Sequence, residues 1–412
     1  MRKLEIQVFL SYNNSEFIYV PSEYGDEKIK DIITSEINAH RGRLAELSLK
    51  IHSNPELGFQ EEKAVGLLTQ YLEENDFSIK RGICQLPTAF RASYGTGRPA
   101  IAILAEYDAL AGLGHGCGHN IIATCAVGAG VASKVTIDRF GGSILVIGTP
   151  AEELYGGKVI MAERGAFSDL DAAMIVHPGA SDIATTEALA CQTLDVEFFG
   201  KTAHAAARPE EGINALEALL QSFAAINSLR QHIRSTARIH GIITDGGEAA
   251  NVVPSYSAGN FIVRAMENDY LDELKERVLN CFIGAATTSG ARLEYRWGEA
   301  RYNSMRNNLA LAQLFIHNMQ SLGRNTVLSD PDESFGSTDM GNVSQLVPGI
   351  HPFVAIAGKE ILLHSAEFAL AAASEEGVNG MLDAAKALAM TVLDLVSSPE
   401  TLADVKKEFS GE

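Results

Sequence analysis

"GSILVIGTPAEELYGG", residues 142–157, changes character at its midpoint. An unbroken apolar run, Ile144 to Ile147, gives way through Gly-Thr-Pro-Ala to two adjacent acids, Glu152 and Glu153, and a glycine pair. A short apolar run bounded by glycine reads as a buried central strand of an α/β sheet. In such sheets the ligand crevice lies beyond the strand ends. Two other stretches repeat the pattern: "PAIAILAEYDAL" (99–110) breaks into Glu106 and Asp108, and "DAAMIVHPG" (171–179) breaks at His177.

Helices surround these runs. "IITSEINAHRGRLAELSLKIHSN" (32–54) sets Ile33, Ile37, Leu44, Leu47 and Ile51 on one helical face, and "FQEEKAVGLLTQYLEEN" (59–75) repeats the spacing with acids in its first turn. From residue 191 the order changes. "CQTLDVEFFGKTAH" reads as a strand and "GINALEALLQSFAAINSLRQHI" as an amphipathic helix. "RIHGIITDGG" and "YSAGNFIVRAM" are two strands, "YLDELKERVLNCFIGAATTSG" a helix and "RLEYRWGEA" a last strand. That β-α-β-β-α-β order is the ferredoxin-like split pattern. "NNLALAQLFIHNMQSLG" and "PGIHPFVAIAG" then resume the α/β style, and a helix near 377–397 closes the chain. The expected layout is an α/β catalytic domain in two parts, 31–190 and 301–412, interrupted by an α+β domain over 191–300. Residues 1–30 are expected to form a separate N-terminal extension, as a hairpin or an arm.

Bulk properties bound the function. A chain of 412 residues exceeds what one core normally supports, which agrees with two domains. A net charge of −19 excludes nucleic acid and anionic membrane surfaces as expected partners. There is no run of 18 apolar residues and no signal-peptide pattern at the start. The five cysteines, 84, 117, 125, 191 and 281, are scattered and odd in number, which suits free thiols in a reducing cytosol. A cytoplasmic protein is expected.

Residues with ligand chemistry gather at the strand ends. In "GLGHGCGHN" (112–120) Cys117 and His119 stand two apart in a turn, where both side chains can face one ion. Glu152 and Glu153 repel each other unless a cation compensates, and His177 and His364 each follow an apolar run. Asp108 is placed to orient a ligating histidine. Taken singly, each has a plain structural reading: a glycine-rich turn, a solvated helix start, a satisfied histidine. Together, Cys117, His119, Glu153, His177 and His364 exceed one closed tetrahedral site and suit two ions sharing a ligand, with Glu152 left free as general base. His115 is assigned a supporting role.

Seven stretches occur in order that resemble one family: "HSNPELGFQEEKA", "AEYDALAGLGHGCGHN", "GTPAEELYGGK", "GKTAHAAARPEEGINALEAL", "GGEAANVVPSYSAG", "SFGSTDMGNVSQLVPGIHP" and "LLHSAEF". They are similar to the aminoacylase/carboxypeptidase family of di-metal peptidases, in its amidohydrolase branch, over about residues 33–397. "GSTDMGNVS" and "PGIHP" resemble its Xaa-Arg dipeptidase-like and aminobenzoyl-glutamate hydrolase-like members. The resemblance implies a metallopeptidase domain with a central mixed sheet and an inserted lid through which two chains form a homodimer. It implies two divalent ions, Zn or Mn, on Cys117, His119, Glu153, His177 and His364, with Cys117 shared and Glu152 as general base. His204 would reach the partner's active site to stabilise the oxyanion, and Asn251 and Arg264 would hold the substrate's carboxylate. The implied reaction is hydrolysis of an N-acyl- or aminoacyl-amino acid. The alternatives are a dipeptidase for Xaa-Lys or Xaa-Arg and a non-catalytic metal-binding protein of the same fold. Two positions depart from the branch: Asn120 stands where an Asp is usual, and Glu106 replaces an Asp.

Overall fold

The apolar runs become the centre of a mixed sheet. The computed structural model describes residues 25–330 and 336–411. In chain order the strands are β1 (Ser78–Arg81), β2 (Phe90–Thr96), β3 (Ala100–Ala105), β4 (Gly142–Gly148), β5 (Ala172–Met174), β6 (His177–Gly179), β7 (Ala190–Phe199), β8 (Arg238–Asp245), β9 (Tyr256–Ala265), β10 (Arg292–Tyr302), β11 (Gly349–Ile350) and β12 (Phe353–Ala355). Six form one sheet in the order β1-β2-β4-β3-β5-β11, parallel from β4 to β11 and antiparallel at β1 and β2. Every residue of β3 and β4 is buried, as central strands covered on both faces must be. β6 and β12 pair in parallel as a two-stranded ribbon beyond the sheet. β1 and β2 were not read from the sequence, because their alternation between buried and exposed positions is broken.

Helices Gly25–His52, His119–Ala132 and Glu375–Ser397 pack into the larger core on one face of this sheet. Ile33, Ile37, Leu44, Leu47 and Ile51 all point into that core. Helix His119–Ala132 is buried on every side. With the short helix after it, it is long and apolar enough to cross a membrane, but it is packed almost wholly inside the protein, as core helices are.

Two boundaries differ from the sequence reading. The first helix begins at Gly25, so residues 25–30 belong to the core domain and not to an extension. Ile29 is buried, and Lys30 pairs with Asp394 at 2.8 Å. The expected hairpin or arm at the start of the chain lies outside the described residues. At the other end, helix Pro399–Ser410 follows the one read as closing the chain. Only Leu402 and Val405 are buried on it, too few to show as a periodic pattern. It docks through Glu408, whose carboxylate accepts the N–H groups of Leu309 and Ala310 at 2.7 Å and so caps the helix that begins there.

Strands β7 to β10 form a separate antiparallel sheet, order β10-β7-β9-β8, with helices Ala215–Leu229 and Asn268–Ser289 on one side. This is the ferredoxin-like arrangement. Leu194, Val196, Phe198, Phe261 and Phe282 give it a core of its own, so the insertion folds around its own apolar centre.

Candidate active site

Each strand end delivers its polar residues to one place. Beyond β3, Glu106 and Asp108 are buried. Beyond β4, Ala151 adopts a left-handed backbone (φ 59°) and donates its N–H to Glu61 at 2.9 Å, which turns the chain into the short helix that starts with Glu152 and Glu153. His177 opens β6. In the glycine loop, Gly118 has φ 77°, and a Cβ there would lie 2.5 Å from Pro178. Only glycine lets the chain pass so close to Pro178 between Cys117 and the start of the next helix at His119. His364 is anchored to the same loop, its N–H bonded to the Gly116 carbonyl at 2.9 Å.

The ligand atoms converge. Those of Cys117, His119 and His177 lie within 4.8 Å of one another, and so do those of Cys117, Glu153 and His364. Cys117 belongs to both groups. Its sulfur is 3.3 Å from His177 Nε2. Donors held ~2.0–2.3 Å from one ion are at most roughly 4.5 Å apart, so each group is close to the spacing that would hold one ion, and Cys117 would belong to both. The chemistry fits as well. His177 Nδ1 faces the Pro178 carbonyl at 2.6 Å, which can only accept, so the proton sits on Nδ1 and Nε2 keeps its lone pair. His119 Nδ1 bonds Asp108 at 3.0 Å, which frees its Nε2 in the same way. That Nε2 and Glu153 Oε1 are 3.7 Å apart, both buried and without a hydrogen-bond partner among the described residues. Sulfur, imidazole and carboxylate together suit zinc and its neighbours.

Asp108 does double duty, because its second oxygen accepts the backbone N–H of Glu153 at 3.0 Å. It thereby orients one ligand side chain and the backbone of another. Burial pushes Glu152 well above the usual carboxylate range, and Glu106, Asp339 and Glu153 push it further. A carboxyl so placed holds a proton readily, as a general base must once it has taken one. Burial likewise raises the Cys117 thiol, so a cation is needed to hold it as thiolate.

Four residues at the site had no role in the sequence reading. Lys158 is fully buried, and its ammonium bonds both Glu106 and Asp339, the latter at 2.8 Å. Its backbone N–H also bonds Asp339, at 2.8 Å. Burial opposes the charge on Lys158, but the two carboxylates outweigh it and hold it protonated. Glu106 stands in the sequence as a strand-end acid and a departure from the family pattern, with no role attached. The signal was a lysine following two strand-end acids in "EELYGGK". The fourth is His351, from "PGIHP", buried with its ring 5.7 Å from that of His177. Burial pushes it down to about 4. The other departure, Asn120, lies apart from the ligands and ties its helix to Ser48 and the Ala372 carbonyl at 2.9 and 3.0 Å. His115 is buried beside His52, 5.9 Å between rings, and joins neither ligand group.

A cavity of about 860 Å³ opens over the cluster, with Cys117, Glu152, Glu153, His177 and His364 in one wall and Arg264 of the lid in another. Arg264 donates to Ser337 at 3.2 Å. His204 and Asn251 do not line it. They lie side by side on the exposed lid surface, where Ala205 N–H bonds the Asn251 carbonyl at 3.0 Å. His204 Nδ1 accepts two backbone N–H groups at 3.2 and 3.3 Å, so its proton is on Nε2.

Residues 192–284 match the model of the M20 peptidase dimerisation domain. The Xaa-Arg dipeptidase of Homo sapiens is 37% identical over 390 residues, covering 89% of this chain and 88% of that one. A p-aminobenzoyl-glutamate hydrolase chain of Escherichia coli is 30% identical over 456 residues, covering 93% and 95%. Among solved structures, a putative aminohydrolase from methicillin-resistant Staphylococcus aureus superimposes with a TM-score of 0.76 at 18% identity, over 89% of this chain and all of that one. A Bacillus subtilis protein described as a dinuclear metal binding peptidase from the M20 family superimposes at 0.69 with 21% identity, over 87% and 99%.

Proposed function

The chain belongs to the M20 family of metal-dependent peptidases and amidohydrolases, and from that premise we propose that it cleaves the amide bond of an N-acyl- or aminoacyl-amino acid at the Cys117 cluster. It is a metal-dependent hydrolase of amide bonds. The observation that carries the assignment to this site is Cys117 shared between two three-ligand groups, with Glu152 beside them.

Zn or Mn ions, when bound by Cys117, His119, Glu153, His177 and His364, supply Lewis acidity and a water of lowered pKa. Glu152 takes the proton from the attacking water and returns it to the leaving amine. Asp108 keeps His119 in the tautomer that presents Nε2. Arg264 offers the substrate's carboxylate a bidentate partner from the lid wall. His204 and Asn251 act on the cavity of a second copy, in a homodimer built through the lid. Their exposed position outside their own cavity and the match to a dimerisation domain support this. Five free cysteines suit a cytoplasmic setting.

The names of two relatives, Xaa-Arg dipeptidases of Homo sapiens and Mus musculus at 37% identity, favour a second reading: a dipeptidase for Xaa-Arg or Xaa-Lys. One panel separates the two. Acetyl, benzoyl and glycyl conjugates of Arg, Lys, Glu, Asp and Leu are assayed on metal-reconstituted protein with and without chelator. Chelator-sensitive release of amino acid from at least one conjugate is expected. Turnover confined to glycyl-Arg and glycyl-Lys selects the dipeptidase, and turnover of no conjugate overturns both readings.

A further inference from the structure

Three histidines line the cavity: His177, His351 and His364. Two of them sit in the candidate ligand groups, and His351 sits in neither. It is 3% exposed, and neither ring nitrogen has a hydrogen-bond partner among the described residues. Packing alone sets the ring's direction. It stacks on Phe353, 5.8 Å between centroids and 23° between planes, and stands 5.7 Å from His177. Its carbonyl is tied down by the Thr186 hydroxyl, and Pro352 follows it in the turn between β11 and β12. Burying both nitrogens of an imidazole is costly, and buried polar groups are almost always satisfied by something. The residue lines the cavity next to those that would do the chemistry.

Resting on the amide-hydrolase reading above, we propose that His351 is a substrate-contacting catalytic residue: its ring N–H donates a hydrogen bond to the oxygen of the scissile amide as that oxygen gains negative charge. No bond is made or broken at the imidazole. A neutral N–H, already oriented and shielded from bulk water, is the kind of donor that acts most strongly on charge developing in the transition state. The donor comes from the same chain as the ligands, in contrast to His204, which is exposed and outside its own cavity. Each active site therefore carries one internal donor besides whatever a partner copy supplies.

The test uses the full-length, metal-reconstituted protein with His351→Phe, which keeps the ring packing and removes both nitrogens, and His351→Gln, which keeps a donor. Ion content per chain, kinetics on the best conjugate of the panel, and binding of the phosphinic analogue of glycyl-lysine are measured for each. The phosphinic group imitates the charged tetrahedral oxygen. For His351→Phe, kcat falls about 10²-fold, the cost of losing one such donor, while KM and ion content stay near wild type. Binding of the phosphinic analogue weakens by a similar factor, and His351→Gln recovers part of both losses. Unchanged binding of the analogue by His351→Phe overturns the proposal. So does a fall in ion content, which would make His351 a metal ligand or a prop for one. Absence of turnover in the wild type counts against the amide-hydrolase reading, whereas the ratio between variants in analogue binding judges His351.

Discussion

Glu152→Gln lowers turnover by at least about 10²–10⁴-fold, the range that general acid–base catalysis contributes, and leaves the bound ions in place. The amide is nearly isosteric with the carboxylate, but it cannot accept the water's proton or return one to the leaving amine. Glu152 lies with His119 and Glu153 within 4.8 Å, yet it belongs to neither of the two groups built on Cys117, so those ligand sets survive the change. Its backbone carbonyl stays anchored by the Tyr302 hydroxyl at 2.7 Å. Kinetics and elemental analysis on the same sample check both halves, and near-normal turnover would remove Glu152 from its role. The same variant tests the shared site. Mixing it with inactive His204→Ala makes heterodimers in which one cavity has both an intact Glu152 and the partner's intact His204. Recovery of activity on mixing is expected; none would mean that each chain's site is self-contained.

Lys158→Met destabilises the protein by about 3–5 kcal/mol, the cost of leaving a buried ion pair without one partner. Methionine fills the space, so the loss is electrostatic. Glu106 and Asp339 remain fully buried with nothing to balance them, and Glu152 lies in the same field. The bridge also joins distant parts of the chain, because Glu106 follows β3 and Asp339 lies beyond the whole lid. Denaturant unfolding measures the effect. Adding Glu106→Gln and Asp339→Asn to Lys158→Met recovers much of the loss, since amides carry no charge into the interior. An unchanged midpoint for the single variant would show the triad to be electrostatically neutral for stability.

The core elements were legible where apolar pattern and burial coincide. β3 and β4 are continuous apolar runs because both faces are covered, and the helix face from Ile33 to Ile51 is a plain 3.6-residue repeat. β1 and helix Pro399–Ser410 were not legible, because most of their side chains face solvent and their places are set by hydrogen bonds to neighbours such as Leu309 and Ala310. For the site, residue chemistry identified Cys117, His119, Glu153, His177 and His364, while their convergence depends on a loop more than 200 residues away returning to the glycine turn through the His364–Gly116 bond. Lys158 escaped notice because a lysine ordinarily reads as solvent-exposed, and only the enclosing acids reveal otherwise. His351 escaped because nothing in a Pro-Gly-Ile-His-Pro turn shows which way the ring faces. Arg264 and His204 are both lid residues, yet the register of β9 points one into the cavity while the loop after β7 leaves the other outside it.

In the proposed site the Cys117 thiolate would serve two ions. Metal-stripped protein is titrated with Zn or Mn, and ions bound per chain are counted by equilibrium dialysis and elemental analysis, for wild type and for Cys117→Ala. The structure's two ligand groups, which share Cys117, predict saturation at two ions per chain in the wild type and loss of tight binding at both positions in the variant. Two tightly bound ions per chain in Cys117→Ala would contradict it.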